Sequence, residues 1–428
     1  MVQEASIPSA LGRSGRFDST FRALRNRNYR LYYTGQAISL SGTWMQTIAQ
    51  AWLVLEITDS KIALGTVTML QFLPITIFVL FAGVIADRVP KRGFISCTQG
   101  LAMAQALALT VLVWSGQVQL WHVYLLASML GLVNAFEQPT RQAFVVELVG
   151  KNDLINAIAL NSGMFNAARL VGPGIGGFVI AAAGVRGAFL LNAVSFIPVI
   201  IALALMNSAE FHSDTQRRER ANPISELREG LTYAFRSPPT LLIVILLVFV
   251  GTFGYNFTVM LPLVDRYVLH RGPAALGFLT GALGLGAVIS ALLIAGREAA
   301  TKRMMFVGGA CFAALLGAVA VSQWFLLTLL LLLLAGIAST AFQATTNTSM
   351  QLTAPDHLRG RLMALYMLLF AGSTPIGAYF MGQMAEHLGV PAAVGICAAL
   401  TMVGMIAGGL YYMTHRSQIP AIAGGPIS

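Results

Sequence analysis

Charge is what this sequence has least of. Only 10% of its 428 residues are charged, and 17 acidic side chains stand against 27 Lys and Arg. An ordinary soluble domain carries about 25% charged residues. A chain that is also 56% hydrophobic has no soluble core large enough to hide that surface. Cysteine is scarce too: Cys97, Cys311 and Cys397 all fall inside apolar runs, without disulfide or metal spacing. The six histidines are scattered and no pair has ligand spacing, which excludes a zinc-type centre. His boxes, paired carboxylates and a nucleophile with its base are all missing, so a membrane enzyme is disfavoured. Residues 1–30 are basic and lack the apolar centre of a cleavable signal peptide.

What the chain does have is long apolar runs. They recur near 31–56, 62–87, 93–115, 120–147, 154–181, 186–206, 240–264, 275–296, 304–322, 324–352, 361–386 and 390–414. Each approaches the ~20 residues a bilayer crossing needs. Because the runs are continuous and do not alternate with polar residues, the spans are helices rather than barrel strands. The expectation is an all-α membrane protein with twelve transmembrane helices. The net charge of +10 does not indicate nucleic-acid binding, because the basic residues sit between spans. Most of them lie on the side that carries both termini; Lys61, Arg186, Arg266 and Arg271 are those of the other side. That bias places both ends in the cytoplasm, with the chain in the inner or plasma membrane.

The longest internal polar stretch, 207–238, divides the spans six and six. Asn222-Pro223 is a helix start, and Ile224, Leu227, Leu231 and Phe235 then share one face. The expected organisation is a cytoplasmic segment 1–30, a half at 31–206, a central loop with an amphipathic helix at 207–238, a second half at 239–414 and a tail at 415–428. The halves echo each other. Ala135-Phe136 recurs as Ala341-Phe342, and Pro173-Gly-Ile-Gly176 as Pro375-Ile376-Gly377. Repeats of six spans around a mid-membrane site describe one transporter architecture.

Three charged residues lie inside these spans. Glu137 and Arg141, four apart, share a helix face and can pair. Arg169 falls at similar depth, the two positions being roughly 15 and 22 Å from the intervening turn at Gly150 to Asp153. Charges at that depth are functional candidates by default. A carboxylate flanked by Arg141 and Arg169 is a candidate proton carrier whose affinity the arginines set; the alternative is a permanent structural ion network. Asp265-Arg266, at the end of the seventh span, reads as an outer rim pair or a gate.

Gly83-Val-Ile-Ala-Asp87-Arg88-Val-Pro-Lys91-Arg92 closes the second span. It resembles the 2–3 loop signature of the major facilitator superfamily, G-x-L-A-D-R-x-G-R-K. Ile85 stands for Leu, Pro90 for the second Gly, and the last two residues are inverted. Physically, Asp87 can accept from a neighbouring helix N-terminus while the basic residues hold it in register, a breakable cytoplasmic gate. Gly172-Pro173-x-x-Gly176-Gly177 resembles the fifth-helix motif of antiporting exporters in the same superfamily; glycine permits close helix contact and proline loosens the helix. Leu24 to Arg30, Gly35-Gln36, Thr58-Asp59-Ser60, Pro139-x-Arg141 and Asn156-Ala157 are similar to the branch that holds enterobactin exporters and macrolide efflux proteins.

The resemblance implies two six-helix halves with pseudo-two-fold symmetry and alternating access. It implies proton-driven export of a small organic molecule, with the proton gradient as energy source, no cofactor and a monomeric carrier. A proton-coupled importer and a transporter-like sensor or scaffold are the alternatives. In that fold helices 1, 4, 7 and 10 line the cavity. They carry Gln36, Trp44, Met45, Gln46, Gln50, Tyr255, Asn256, Met260, Gln343, Asn347 and Gln351 here, a set suited to a bulky amphipathic guest.

Overall fold

The structure is a computed structural model that describes residues 21–86, 88–212, 223–295, 301–355 and 357–419. Asp87 and Asp356 lie outside the described residues, as do residues 1–20 of the expected segment 1–30 and 420–428 of the expected tail 415–428. Among the described residues every regular element is helical, as the continuous apolar runs demand when the backbone must satisfy itself in lipid.

Among the described residues nine helical stretches are long and apolar enough to cross a membrane, and one of them, Leu120–Leu205, is 86 residues long. It is folded back twice. Gly150 (φ 67°, ψ −177°) and Gly184 (φ 70°, ψ 177°) interrupt it in a backbone region that is essentially glycine-only. A further long helix, Arg27–Thr58, packs among the nine although its many polar residues keep it off that count. Dividing the folded stretch at its two glycines gives twelve segments among the described residues, in keeping with the expected number.

In chain order α1 is Arg27–Thr58, α2 Lys61–Ala86 and α3 Lys91–Trp114, followed by α4 (120–149), α5 (151–183) and α6 (185–205). A helix at Pro223–Arg236, starting where the Asn-Pro signal put it, joins the halves. Then come α7 (Pro238–Tyr267), α8 (Pro273–Ala295), α9 (Lys302–Val321), α10 (Phe325–Thr353), α11 (Arg359–Leu388) and α12 (Val390–Thr414). The polar turn expected from Gly150 to Asp153 is a single residue, because Lys151 to Asp153 are already helical.

Two spans of the second half are broken near their middles. In α7 a π-turn at Val250–Gly254 separates two helical pieces, and in α11 the chain leaves the helix after Phe370 and re-enters at Thr374. The breaks adjoin. A Cβ on Gly251 would stand 2.8 Å from the Leu369 carbonyl oxygen and 3.1 Å from the Ser373 hydroxyl. Thr76 of α2 donates to the Gly372 carbonyl at 3.2 Å, satisfying a group the break sets free.

The halves meet mainly at the end away from the basic loops. Across that far end the Lys61 amide donates to Glu386 at 2.8 Å. Arg266 pairs with Asp59 at 2.9 Å, and the Tyr267 hydroxyl donates to the same carboxylate at 2.8 Å. Glycines bring backbones together there. A Cβ on Gly65 would lie 2.7 Å from the Ala378 carbonyl, and one on Gly177 2.5 Å from that of Pro273. Toward the basic end, added Cβ atoms at Gly83 and Gly163 meet nothing within 4 Å.

Candidate functional site

The site begins with α1, whose sequence reads as a membrane span interrupted by amides. Gln36, Ser39, Gln46 and Gln50 are all buried. In a low-dielectric interior each needs a partner; neighbouring helices supply one to Ser39, Gln46 and Gln50, while the Gln36 amide nitrogen has none among the described residues. Gln50 donates to Gln71 of α2 at 2.9 Å, Gln46 donates to Gln105 of α3 at 2.9 Å, and Asn192 of α6 donates to Gln46 at 2.6 Å. Ser39 donates to Gln99 of α3 at 3.1 Å, and Gln99 in turn donates to Glu137 of α4 at 2.6 Å. The ladder ends on Arg141, whose guanidinium is 3.6 Å from the same Glu137 oxygen.

Glu137 is only 3% exposed. Tyr32 lies beside this pair and beside Gln36, with its hydroxyl short of hydrogen-bond geometry. Gln99, Gln105 and Asn192 were not among the sequence candidates. Their signal was plain in retrospect, since an amide in the middle of an apolar run needs a partner just as a charge does.

Arg169 is not part of that pair. Four residues bring Arg141 onto the face of Glu137, whereas the position of Arg169 depends on how α5 is rotated. The Gly172 and Gly176 face of α5 packs on Ser41, Trp44 and Met45 of α1. Arg169, one turn earlier on that face, stacks over the Trp44 ring at 5.8 Å. Tyr255 of α7 lies nearby. The expectation that two arginines flank Glu137 is therefore corrected to one.

The fifth-helix motif does two jobs. Gly172 and Gly176 admit α1, and Gly177 with Pro173 admits α8, where Gly277 and the Pro173 carbonyl would come within 3.0 Å if a Cβ were added to Gly277. Two residues of the expected gate, Lys91 and Arg92, bond within their own half. Lys91 pairs with Glu147 of α4 at 2.6 Å, and Arg92 donates to the Ala204 carbonyl at 2.9 Å and to Ser208 at 2.6 Å. Arg88 is exposed, and Asp87 lies outside the described residues.

The expected cavity residues separate into two groups. Gln36, Met45, Gln46, Gln50, Asn256 and Met260 are buried in helix packing. Trp44, Tyr255, Gln343 and Asn347 are half-buried, and Gln351 is exposed. An open cavity of ≈330 Å³ runs along α10, lined by Thr340, Gln343, Ala344, Asn347 and Thr348. Tyr255 donates to the Ser339 carbonyl at 2.8 Å and packs against Phe312 and Phe370. Asp265 is not a rim pair with Arg266: Arg266 reaches Asp59, while Asp265 is 0% exposed and neither carboxylate oxygen has a hydrogen bond. Among the described residues no cluster of potential metal ligands occurs.

Comparison with known proteins accords with this geometry. The profile of the transmembrane secretion effector family, a major facilitator family, matches residues 18–423. The staphyloferrin A transporter of Staphylococcus aureus is 24% identical over 84% of this chain and 90% of its own length. The multidrug efflux pump Tap of Mycolicibacterium fortuitum is 26% identical over 86% of this chain and 91% of its own. Among solved structures, a bacterial homologue of the human lysosomal transporter Spinster in an inward-facing, occupied conformation superposes with a TM-score of 0.69 at 14% identity, covering 92% and 97% of the two chains. The nucleoside transporter NupG gives 0.71 at 13% identity, covering 91% and 99%.

Proposed function

We propose, from the premise that this chain belongs to the transmembrane secretion effector family of major facilitator transporters, that it exports a small organic molecule in exchange for protons. The family is one of multi-pass membrane transporters rather than enzymes. The relatives are named as an efflux pump and a siderophore transporter, and the fifth-helix motif matches that of antiporting exporters; together these favour the outward direction. The basic end, which carries both described termini, is read as cytoplasmic.

The observation that carries the reading is the difference between the two ends. The halves are joined at the far end by Asp59–Arg266, Lys61–Glu386 and the Gly177–Pro273 contact. Toward the basic end the α10 cavity stands open. Such a passage faces the cytoplasm, and alternating access requires the complementary state in which these contacts part. Glu137 is the proposed proton carrier. Its place at the end of an amide ladder that crosses α3 and α4 lets a proton gained or lost there be felt by helix packing. Arg141 holds the charged form, and Gln99 holds the carboxyl in register through either state.

The test is uptake into everted vesicles, in which export from the cytoplasmic face appears as accumulation, driven by an imposed pH gradient, for wild type and Glu137→Gln. The variant keeps the shape and the Gln99 contact. It is expected to lose gradient-driven accumulation while downhill exchange of the same compound continues. Unimpaired gradient-driven accumulation in E137Q would remove Glu137 as carrier, and gradient-driven depletion of the vesicles would reverse the assigned direction.

A further inference from the structure

Arg169 is a cation without a counter-ion. It stands 19 residues beyond Gly150 and 15 before Gly184, close to mid-span of α5. Among the described residues no carboxylate pairs with it, and the guanidinium makes no hydrogen bond; its contact is the Trp44 ring at 5.8 Å. The nearest acid by depth, Glu137, is already engaged by Gln99 at 2.6 Å and Arg141 at 3.6 Å. A cation over an aromatic face recovers only part of the hydration a guanidinium gives up. Five N–H donors therefore look for acceptors. None of them is sealed off, and the residue is half-buried, so the donors remain accessible to an acceptor from outside the protein.

The surroundings are apolar and aromatic. Trp44 packs edge-on against Phe165, with centroids 5.7 Å apart. Phe165 is 38% exposed, and Tyr255 approaches from the second half. Flat apolar rings, a single fixed cation and no competing acid suit one kind of guest.

We infer that Arg169, with Trp44, Phe165 and Tyr255, forms the subsite for the acidic group of the cargo, which is an amphipathic organic anion whose aromatic or apolar body lies against the three rings. The assignment rests on the transport function proposed above and names its substrate class. A guanidinium takes a carboxylate with two parallel hydrogen bonds, a geometry an ammonium lacks. It also supplies a reason for closure to await the cargo. When the halves close over the basic end, Arg169 loses its access to outside acceptors. An empty subsite would then strand a bare cation, whereas a cargo carboxylate replaces the lost acceptors. Residues of both halves border the subsite, so occupancy and closure are linked.

Two probes with one body and different head groups test this: 1-naphthylacetate and 1-naphthylacetamide. Their binding is measured by fluorescence titration to the purified protein in zwitterionic nanodiscs. Wild type is expected to prefer the carboxylate by about tenfold or more, the usual scale of a charge-assisted hydrogen bond. Arg169→Gln should erase the preference, and an unchanged thermal midpoint of the variant shows that the protein has kept its fold. Arg169→Lys should restore part of it. Absence of a preference in wild type overturns the assignment, and so does a preference that survives R169Q.

A second arm uses discs containing anionic lipid. If these weaken naphthylacetate binding in wild type but not in R169Q, the acceptor is a lipid headgroup and the cargo assignment falls. None of these titrations involves a pH gradient. Failure of proton-driven export with the binding preference intact would therefore sink the proposed function alone.

Discussion

The first six spans hold Glu137, Arg141 and Arg169 deep inside helices, whereas in the last six every charged side chain lies near a helix end. The interiors differ in the same sense. In the first half amides bond across α1, α2, α3, α4 and α6. In the second, hydroxyls turn back on their own helices, as Thr345, Thr346 and Ser349 do, and aromatic rings fill the space around Tyr255. Breaks in the middle of a span are also features of the second half, in α7 and α11. A half whose helices are cross-linked by buried hydrogen bonds resists internal rearrangement. A half with interrupted helices has places to bend. The difference teaches that the chemistry and the compliance of this transporter reside in different repeats.

The largest effect that would sharpen this contrast is at the seam between the halves. Gly177→Val puts its side chain against the Pro273 carbonyl and Gly277. Overpacking of this kind costs about 1–3 kcal/mol, roughly a five- to 150-fold shift of population away from the state sealed at the far end. Gly83→Val, where nothing lies within 4 Å, should shift nothing. Spin-label distances across the far end read both variants, and an equal response would show that the sealed contact is not glycine-dependent.

Next in size is a comparison of the two interiors. Gln46→Leu leaves Gln105 and Asn192 without their shared partner and should cost about 1–3 kcal/mol, seen as a lower thermal midpoint in detergent. Tyr255→Phe removes one bond to the Ser339 carbonyl and should cost about 0.6 kcal/mol, a typical value for such bonds between membrane helices. If Tyr255→Phe proved the more damaging of the two, the division between a cross-linked half and a pliable half would fail.

The smallest effect concerns the ion pair that bridges the halves. The Tyr267 hydroxyl first, and then Arg266, hold the Asp59 carboxyl below its ordinary value of 3.8. A folded-state value below the unfolded one means that the contribution is complete above the ordinary value and is lost as pH falls through the lower one. The seal at the far end should therefore be indifferent to pH near neutrality and loosen only in strong acid. Asp59→Asn should reproduce that loosening at any pH. Because Asp59 is exposed, the change should be slight and should shrink further with salt, measured by the same spin-label distances.

The span plan was legible because hydrocarbon imposes one rule on every residue of a run. The six-and-six division and the depth of Glu137 and Arg169 came from that rule together with helix rise. The amide ladder was half legible: the polar residues of α1 were visible as Gln36, Gln46 and Gln50, but they were assigned to the cavity wall. Only the rotation of α1 against α3 and α6, a matter of packing rather than spacing, turns them inward. The same is true of Arg169, which shares a depth with Glu137 but faces a different helix. The breaks at Gly251, Gly254 and Gly372 were hidden because glycine is ordinary in membrane helices, and nothing local tells a packing glycine from an interrupting one. Asp265 and Arg266 are neighbours in sequence yet point to different surroundings, as successive residues on a helix must.

One feature of the first half bears on how carrier and cargo keep step. The helix of Glu137 and the helix of Arg169 are joined at Gly150 by one residue held in a conformation that other side chains avoid, with the His212 ring 2.9 Å from where a Cβ would be. There is no slack in such a joint. The two helices cannot slide along each other to adjust the distance between Glu137 and Arg169, so any message between them has to travel as a tilt of the whole pair. How the two residues respond to each other would then be set by the stiffness of a hairpin.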